Sequence, residues 1–339
     1  MIFWKELLIG FFVAFISALL LTYPIKSLAV RIGAMDKPNK RKIHQKAMPR
    51  LGGLAIFFGT LAGMLYLEPE HEHLLEIFLG ALVIIITGVL DDKYTLKPLQ
   101  KLVGQFVATS FLISSGLIID RITLPIIGVV DLGFLSVLIT VIWVIGITNA
   151  INLIDGLDGL ATGVTSIALI SIFIMSILDQ QFIVTLLSIG LLGANVGFLF
   201  HNFHPAKIYM GDTGSNFLGY MVAVISMLGL FKNLTFFSFI VPIIVLAVPI
   251  FDTLLAIYQR AKSNENIMQA DRRHLHYQLM DKGFSHRQTV LIIYGFSAVF
   301  GALAIIFANA SLTVLFAIII ITVVLLHIFA ILAGVTTVK

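Results

Sequence analysis

The sequence predicts an all-α integral membrane protein, organised as a single polytopic domain over residues 1–339. Three observations lead to this prediction: 59% of the residues are hydrophobic, only 12% are charged, and the mean hydropathy is +1.03. Soluble domains carry about 25% charged residues and a smaller apolar share. The chain contains no cysteine, which excludes disulfides, thiolate metal ligands and a cysteine nucleophile.

Apolar runs of about 20 residues, the length that crosses a bilayer core, recur along the whole chain. The first run is too long for a signal peptide and lacks a small-residue cleavage pattern, so we expect a retained span. The segment at 120–133 is interrupted by Pro125, Gly128 and Asp131 and predicts an interfacial turn or a short hairpin. About eleven transmembrane helices are predicted in a single bundle, at 6–27, 51–67, 74–90, 101–119, 132–149, 160–178, 182–200, 215–231, 235–259, 288–308 and 312–333.

The distribution of basic residues predicts the orientation, because Lys and Arg near span ends resist translocation. With this set of spans, 19 of the 22 Lys and Arg residues fall on one face of the membrane. Only Lys5, Arg121 and Lys232 fall on the other face. The N-terminus is therefore expected outside and the C-terminus in the cytoplasm.

Four polar segments follow spans whose ends lie on the predicted cytoplasmic face. They are "GVLDDKYTLKPLQK" (88–101), "NAINLIDGLDGLATG" (149–163), "HNFHPAKIYMGDTGS" (201–215) and the basic, His-rich stretch 260–287. A carboxylate at the bilayer centre costs about 2.5–3.5 kcal/mol on insertion scales, so acids beside spans require a compensating partner. Oxygen ligands without thiolates suit Mg²⁺ or Mn²⁺. The five acids in the first three segments predict a cation site at that face: Asp91, Asp92, Asp155, Asp158 and Asp212.

Spacing adds detail to this prediction. If residues 149–158 are helical, Asn149, Asn152, Asp155 and Asp158 form a slanting polar stripe on one side of the helix. The twelve-residue pattern of a calcium-binding loop is absent. Individual acids in the set could instead cap helix ends, and that alternative stays open for each of them.

Basic and imidazole groups are the expected partners of an anionic substrate. Arg50, beside "LGG" at the start of the second span, is the strongest candidate in its loop, whose other basic residues are read as topology determinants and lipid-headgroup contacts. His274 and His276 point the same way only in an extended or irregular chain. Beside Arg272 and Arg273, they predict a phosphate clamp.

The ordered set of motifs resembles the polyprenyl-phosphate N-acetylhexosamine-1-phosphate transferase family, which includes the bacterial enzymes that begin teichoic acid and O-antigen synthesis and the phospho-MurNAc-pentapeptide translocase. The resemblance covers nearly the whole chain. It rests on "PNKRKIH", "MPRLGG", "DDKYTLKPLQK", "NAINLIDGLDGLATG", "HPAKIYMGDTGS", "PIFDT" and "RRHLHYQL", in that order.

The resemblance implies a reaction in the bacterial cytoplasmic membrane, in which GlcNAc-1-phosphate passes from UDP-GlcNAc to undecaprenyl phosphate and UMP is released. It implies Mg²⁺ as cofactor, with Mn²⁺ as a substitute, membrane lipids as surroundings and no nucleic-acid partner. By motif position, Asn152 and Asp212 resemble the metal ligands, and Asp91, Asp92, Asp155 and Asp158 the catalytic acids. The substrate-binding set comprises Arg50, Lys101, Asn149, Arg272, Arg273, His274 and His276.

Several alternatives stay open. Within the resemblance, the sugar could be another UDP-N-acetylhexosamine or the MurNAc-pentapeptide substrate, and a homodimer is one assembly open to the chain. A cation-coupled transporter could use a broken helix at 149–160, but it should show internal repeats and acids near the membrane midplane. A role in teichoic acid or lipopolysaccharide synthesis follows from the resemblance alone, and Asp252 of "PIFDT" has no role that the sequence indicates.

Overall fold

Helices make up nearly all the regular structure in the computed structural model, which describes residues 2–36, 47–124, 128–230, 240–264, 273–308, 310 and 312–334. Seven of the described helices are long and apolar enough to cross a membrane. The chain is therefore an all-α membrane protein, as predicted. The helices are α1 (Ile2–Ile32), α2 (Gly52–Leu67), α3 (Leu74–Tyr94), α4 (Pro98–Ser114), α5 (Leu135–Ile154), α6 (Leu160–Leu178), α7 (Phe182–Asn202), α8 (Gly211–Leu230), α9 (Ile240–Val245), α10 (Ala247–Lys262), α11 (Leu275–Asp281), α12 (His286–Ala308) and α13 (Leu312–Ala333).

The predicted span at 235–259 differs from the described structure, because two helices, α9 and α10, cover its described part. The break falls at Leu246, which has non-helical backbone angles. Pro249 explains why a new helix can begin here: it lies in the first turn of α10, where its missing N–H has no intrahelical acceptor to lose. Residues 231–239 lie outside the described part of the chain.

Two short antiparallel strand pairs accompany the helices. The predicted hairpin at 120–133 is confirmed: β3 (Arg121–Leu124) pairs with β4 (Gly128–Asp131). A second pair, β1 (Met35–Asp36) with β2 (Met48–Pro49), closes the basic loop after α1 and was not predicted. This pair brings Asp36 close to Arg50, at 3.7 Å between Oδ1 and Nη1.

Helix α8 lies at the centre of the packing, between α2, α3 and α5. Its Phe217 and Tyr220 are among the largest fully buried side chains, and the Tyr220 hydroxyl donates to the Ile77 carbonyl of α3 at 3.2 Å. On the other side, Trp143 of α5 donates its indole N–H to Ser226 Oγ at 3.1 Å. Beyond its first turn, α8 is thus held by hydrogen bonds to both α3 and α5.

The C-terminal ends of α1 and α13 lie on the same face of the bundle. The chain after α1 leads to Asp36, which is paired with Arg50 at the N-terminal end of α2. Lys282, just after α11, donates to the Ile331 carbonyl at the end of α13, at 2.9 Å. Since α11 itself packs against the loop after α5, both helix ends border the face that carries the polar segments.

Close approach of α2 to α8 depends on Gly53. A Cβ atom at this position would overlap the backbone of Thr213 and Gly214 in α8. We expect Gly53→Ala to lower the free energy of unfolding by about 1–3 kcal/mol, because two backbones would have to separate. Thermal unfolding of the detergent-solubilised protein measures this change.

The matched control is Gly146→Ala in α5, where an added Cβ has no neighbour within 4 Å. It should leave the melting temperature unchanged or raise it, since Ala has the higher helix propensity. Equal melting temperatures for both variants would contradict the packing role of Gly53.

Candidate active site

Asp92, near the C-terminal end of α3, binds the N-terminus of α8. Its Oδ1 accepts the backbone N–H of Asp212 at 2.9 Å, and its Oδ2 accepts the N–H and the hydroxyl of Thr213 at 3.1 and 2.6 Å. The side chain is buried, and Arg50 Nε lies 3.4 Å from Oδ1. Both oxygens are therefore engaged in orienting the first turn of α8, where the helix dipole also favours negative charge.

Asp212 lies between two cations. Lys101 of α4 forms an ion pair with its Oδ2, and Arg50 Nη2 lies 3.6 Å from its Oδ1. Lys101 also pairs with Asp91 at 3.1 Å, and Asp91 accepts the backbone N–H of Leu96 at 2.6 Å through its other oxygen. The structure thus brings Arg50, Asp91, Lys101 and Asp212 together from four separate helix ends.

A network of side-chain amides, one helical turn further along α4 and α8, supports this cluster. Gln105 of α4 bonds Asn149 of α5, with Asn149 Nδ2 donating to Gln105 Oε1 at 2.7 Å, and also donates to Asn216 of α8 at 3.1 Å. Asn216 in turn donates to the Asp212 carbonyl at 2.8 Å. Asn149 therefore acts here through its neighbours and links α5 to the turn that carries Asp212.

Asn152, one helical turn beyond Asn149, faces the first turn of α8. Its Nδ2 donates to Ser215 Oγ at 2.7 Å, which directs its Oδ1 away from Ser215. Asn152 and Asp212 thus lie on facing helix ends and offer oxygen atoms without any sulfur. This donor set suits Mg²⁺, which takes one or two protein ligands and leaves its other positions to water and phosphate.

The predicted helical stripe over 149–158 is wrong beyond residue 154. Helix α5 ends at Ile154, Asp155 is its C-cap residue, and the chain then turns through Gly159, which has a φ of 76°. The glycines at 156 and 159 interrupt the helix, so Asp155 and Asp158 lie in an irregular loop and not on the face shared by Asn149 and Asn152.

This loop forms one wall of a cleft of about 330 Å³. The opposite walls come from the loop before α2 and from the segment between α7 and α8. The residues that line the cleft include Asp36, Arg50, Asp155, Asp158, His204, Tyr209, Tyr277 and His286. Four of these residues lie in polar segments predicted on this face but are not among the predicted site residues: His204, Tyr209, Tyr277 and His286.

Asp158 is held in the cleft wall by the segment after α7. Its Oδ2 accepts the Ala206 N–H at 3.0 Å and lies 2.8 Å from His204 Nδ1. The His204 ring stacks on His286, the first residue of α12, with ring centroids 4.2 Å apart. Three segments that are distant in sequence therefore meet at Asp158.

The two histidines of "HLH" lie in different environments. His274 has extended backbone angles at the N-cap of α11, whereas His276 lies in the first turn of that helix, so only part of the predicted extended geometry is present. Their rings are nearly parallel, with centroids 5.9 Å apart. His276 packs so closely on Gly156 that a Cβ atom there would overlap its Nε2. Burial lowers the pKa of His276 to about 3, so its ring is neutral at pH 7.

Asp252 of α10 positions His274. Its Oδ2 lies 2.8 Å from His274 Nδ1, its Oδ1 accepts the Leu275 N–H at 2.7 Å, and both side chains are buried. The carboxylate therefore caps α11 and sets the tautomer of the His274 ring, a pairing of residues 22 positions apart that no sequence motif indicated. The Arg273 side chain lies 3.5 Å from Ser263 Oγ, and Arg272 lies outside the described residues.

Asp155, in the cleft wall, has a strongly raised pKa. Its removal from water, followed by the nearby charges of Asp212 and Asp92, raises its pKa from 3.8 to about 7, and Arg50 opposes the shift. The carboxyl group is thus poised to gain or lose a proton near neutral pH. A cation beside Asp155 would lower its pKa and favour the ionised carboxylate.

The fold and the site define a membrane protein with a charged cleft at helix ends, suited to a phosphorylated substrate. The sequence pattern of glycosyl transferase family 4 matches residues 74–230.

Three similar proteins extend the match to between 85% and 98% of the chain. A Bacillus subtilis (strain 168) protein, "Probable undecaprenyl-phosphate N-acetylglucosaminyl 1-phosphate transferase", is 43% identical over 98% of this chain and 94% of its own. "Decaprenyl-phosphate N-acetylglucosaminephosphotransferase" of Mycobacterium tuberculosis is 34% identical over 87% and 82%. "Undecaprenyl-phosphate alpha-N-acetylglucosaminyl 1-phosphate transferase" of Pasteurella multocida is 35% identical over 85% and 82%. The chain belongs to this family of transferases, and the resemblance found in its motifs is confirmed.

The raised pKa of Asp155 predicts a pH-dependent stability. The folded protein binds this proton more tightly than the unfolded chain, so the contribution is complete below 3.8 and is lost as the pH rises through about 7. In metal-free buffer, the wild type should lose melting temperature relative to Asp155→Asn over this range. Asp131→Asn, a substitution in the exposed β3–β4 hairpin, is the control and should follow the wild type. A pH profile of Asp155→Asn that is parallel to the wild type would refute the assignment.

Proposed function

We propose that the protein transfers GlcNAc-1-phosphate from UDP-GlcNAc to undecaprenyl phosphate at the cytoplasmic face of the membrane. A phosphate oxygen of the lipid attacks the β-phosphorus of the nucleotide sugar, the anhydride bond to UMP breaks, and a new anhydride bond to the lipid forms. One anhydride is exchanged for another, so no further energy source is required. The names of the relatives support both substrates.

The observation that carries the proposal is the cluster of Arg50, Lys101 and Asp212 at the N-terminus of α8, beside the cleft. Phosphoryl transfer demands alignment and charge neutralisation more than covalent chemistry. Two cations fixed by buried carboxylates supply such a preorganised environment. The helix N-terminus adds a favourable field for phosphate oxygens.

Asp212 and Asn152 are the residues that would hold Mg²⁺. The ion, when bound, neutralises phosphate oxygens of the substrate. Asp212 would then exchange part of its contact with Lys101 for the cation, which frees the ammonium group to bind a phosphate. Asp91 keeps Lys101 within reach during this exchange, because it holds the same ammonium group at 3.1 Å.

The acids then divide into different roles. Asp92 positions the α8 turn, Asp91 orients Lys101, and Asp155 and Asp158 line the wall of the nucleotide cleft. No general base toward the lipid is required, because a phosphate monoester is largely ionised near pH 7. His276 is neutral and buried against Gly156, so it supports the loop of Asp155 and Asp158 that lines the cleft.

The proposed orientation follows from the basic residues. The face that carries the cleft also carries 19 of the 22 Lys and Arg residues in the predicted topology. This bias supports a cytoplasmic cleft, where UDP-sugars are made, an outside N-terminus, and eleven spans. We further propose that the lipid-linked sugar initiates a surface polysaccharide of the teichoic acid or O-antigen type.

The names of the relatives favour GlcNAc over the MurNAc-pentapeptide substrate, and membership of a transferase family favours an enzyme over a cation-coupled transporter. The homodimer stays a prediction of the resemblance. A panel of UDP-sugars tested for UMP release separates the donor specificities directly.

Asp212→Ala should reduce UMP release by about 100-fold or more, since it removes a charge that orients both cations and the proposed Mg²⁺ ligand. The assay uses detergent-solubilised protein, undecaprenyl phosphate, Mg²⁺ and UDP-GlcNAc. Asp131→Ala, an exposed position in the β3–β4 hairpin at the far end of α4 and α5, is the control and should retain full activity. Full turnover by Asp212→Ala, or UMP release that does not require the lipid, would overturn the proposal.

Asp252→Asn should lower kcat by roughly tenfold or more, as expected when the carboxylate behind a functional imidazole is neutralised. The reason is that an amide at this position no longer enforces the Nδ1–H tautomer of His274. In a His274→Ala background, the same substitution should cost little further activity, because the two residues act as a unit. Additive losses in the double variant would show that Asp252 acts only through the stability of α11.

A further inference from the structure

Three metal-ligating side chains converge at the edge of the cleft. They are Asp158 in the loop after α5, His204 after α7, and His286 at the start of α12. One ligand atom from each lies within 4.8 Å of the other two. Neither histidine has a role in the proposed transfer, so their convergence requires a separate explanation.

Of these three side chains, His286 carries the strongest indication of a missing ligand. Its Nε2 is buried and has no hydrogen-bond partner among the described residues, whereas the backbone of Asp158 lies close enough to interact with its ring. A buried imidazole nitrogen without a partner loses its hydration and gains nothing in return. A cation at this nitrogen would satisfy it.

The donor set selects the kind of cation. Two imidazole nitrogens and one carboxylate oxygen suit Zn²⁺, Co²⁺ or Ni²⁺, whereas Mg²⁺ prefers oxygen ligands. Asp158 is already fixed by the Ala206 N–H, as carboxylate ligands commonly are by an outer hydrogen bond. All three side chains line the cleft, so a bound ion would keep an open coordination position toward it.

We propose that Asp158, His204 and His286 form a site for a transition-metal cation of the Zn²⁺ or Co²⁺ type. The ion is held by residues other than Asn152 and Asp212, and it projects into the cleft. Occupancy therefore inhibits the transferase by competing with the sugar nucleotide. This consequence rests on the proposed function, whereas the binding site does not.

Binding is tested with CoCl₂ on the purified, metal-stripped full-length protein in excess Mg²⁺, through the visible absorption of Co²⁺ and the melting temperature. The wild type should bind one equivalent and melt at a higher temperature with Co²⁺. His286→Ala and His204→Ala should each weaken binding by about tenfold or more and lose the Co²⁺-induced shift. His71→Ala/His73→Ala is the control, because that pair of rings, 5.2 Å apart, is a histidine pair outside the residues that line the cleft.

The melting temperature without Co²⁺ shows whether each variant is folded. Wild-type affinity in either cleft variant, or loss of binding only in the His71/His73 variant, would overturn the site. If His286→Ala is destabilised, the Co²⁺ affinity of His204→Ala decides whether the cation site exists.

Inhibition is tested by adding Zn²⁺ to the UMP-release assay. It should raise the apparent KM for UDP-GlcNAc in the wild type, and His286→Ala should require about tenfold more Zn²⁺ relative to its own metal-free rate. Co²⁺ binding without Zn²⁺ inhibition would overturn the inhibitory role. A protein that binds Co²⁺ and releases no UMP from any UDP-sugar would count against the proposed function and leave the cation site intact.

Discussion

The buried carboxylate of Asp92 is the contact on which the geometry of the site depends. It crosses from α3 to cap α8 through three hydrogen bonds and faces Arg50. Burying a charge in a membrane protein is costly, and here backbone dipoles and a guanidinium offset the cost. Asp212, which lies in the turn that Asp92 caps, is thereby fixed relative to α3 and α4. Lys101 can therefore reach both Asp91 and Asp212. Of the two adjacent acids in α3, Asp92 binds the N-terminus of α8 and Asp91 binds Lys101.

Glycines make this arrangement possible. Gly211 has a φ of 71°, and a Cβ atom there would overlap the Asp92 carboxylate, so the cap can form only if the residue before Asp212 has no side chain. Gly88 allows α3 to contact Thr213 in the same way. The "GDTG" motif therefore combines a charged side chain, Asp212, with the space that the supporting Asp92 carboxylate requires. Helix packing and site chemistry are decided by the same few residues.

The sequence could predict the class of fold and the convergence of the polar segments, because apolar runs and the bias of basic residues are properties of single segments. It could not predict where α5 ends: hydrophobic periodicity continues past Ile154, and the glycine-rich turn decides the position of Asp155 and Asp158. Pairs such as Asp252 with His274, or Asp158 with His204, join residues far apart and depend on tertiary packing. The alternative of a helix-capping acid describes the contacts that Asp92 makes with α8, and only the tertiary structure reveals these contacts.

The carboxylates of the site would couple binding of the proposed cation to binding of the nucleotide substrate. In the cluster and the adjoining wall, the four carboxyl groups of Asp91, Asp92, Asp155 and Asp212 lie near two permanent cations, Arg50 and Lys101. In the free protein a proton on Asp155 can offset part of this excess, because burial, followed by the charges of Asp212 and Asp92, raises its pKa to about 7. A nucleotide diphosphate would bring further negative charge into the same cleft, and a single proton cannot balance both. If the proposed nucleotide and divalent cation bind in this cleft, each would therefore favour binding of the other, and Asp155 would release its proton as the two enter together.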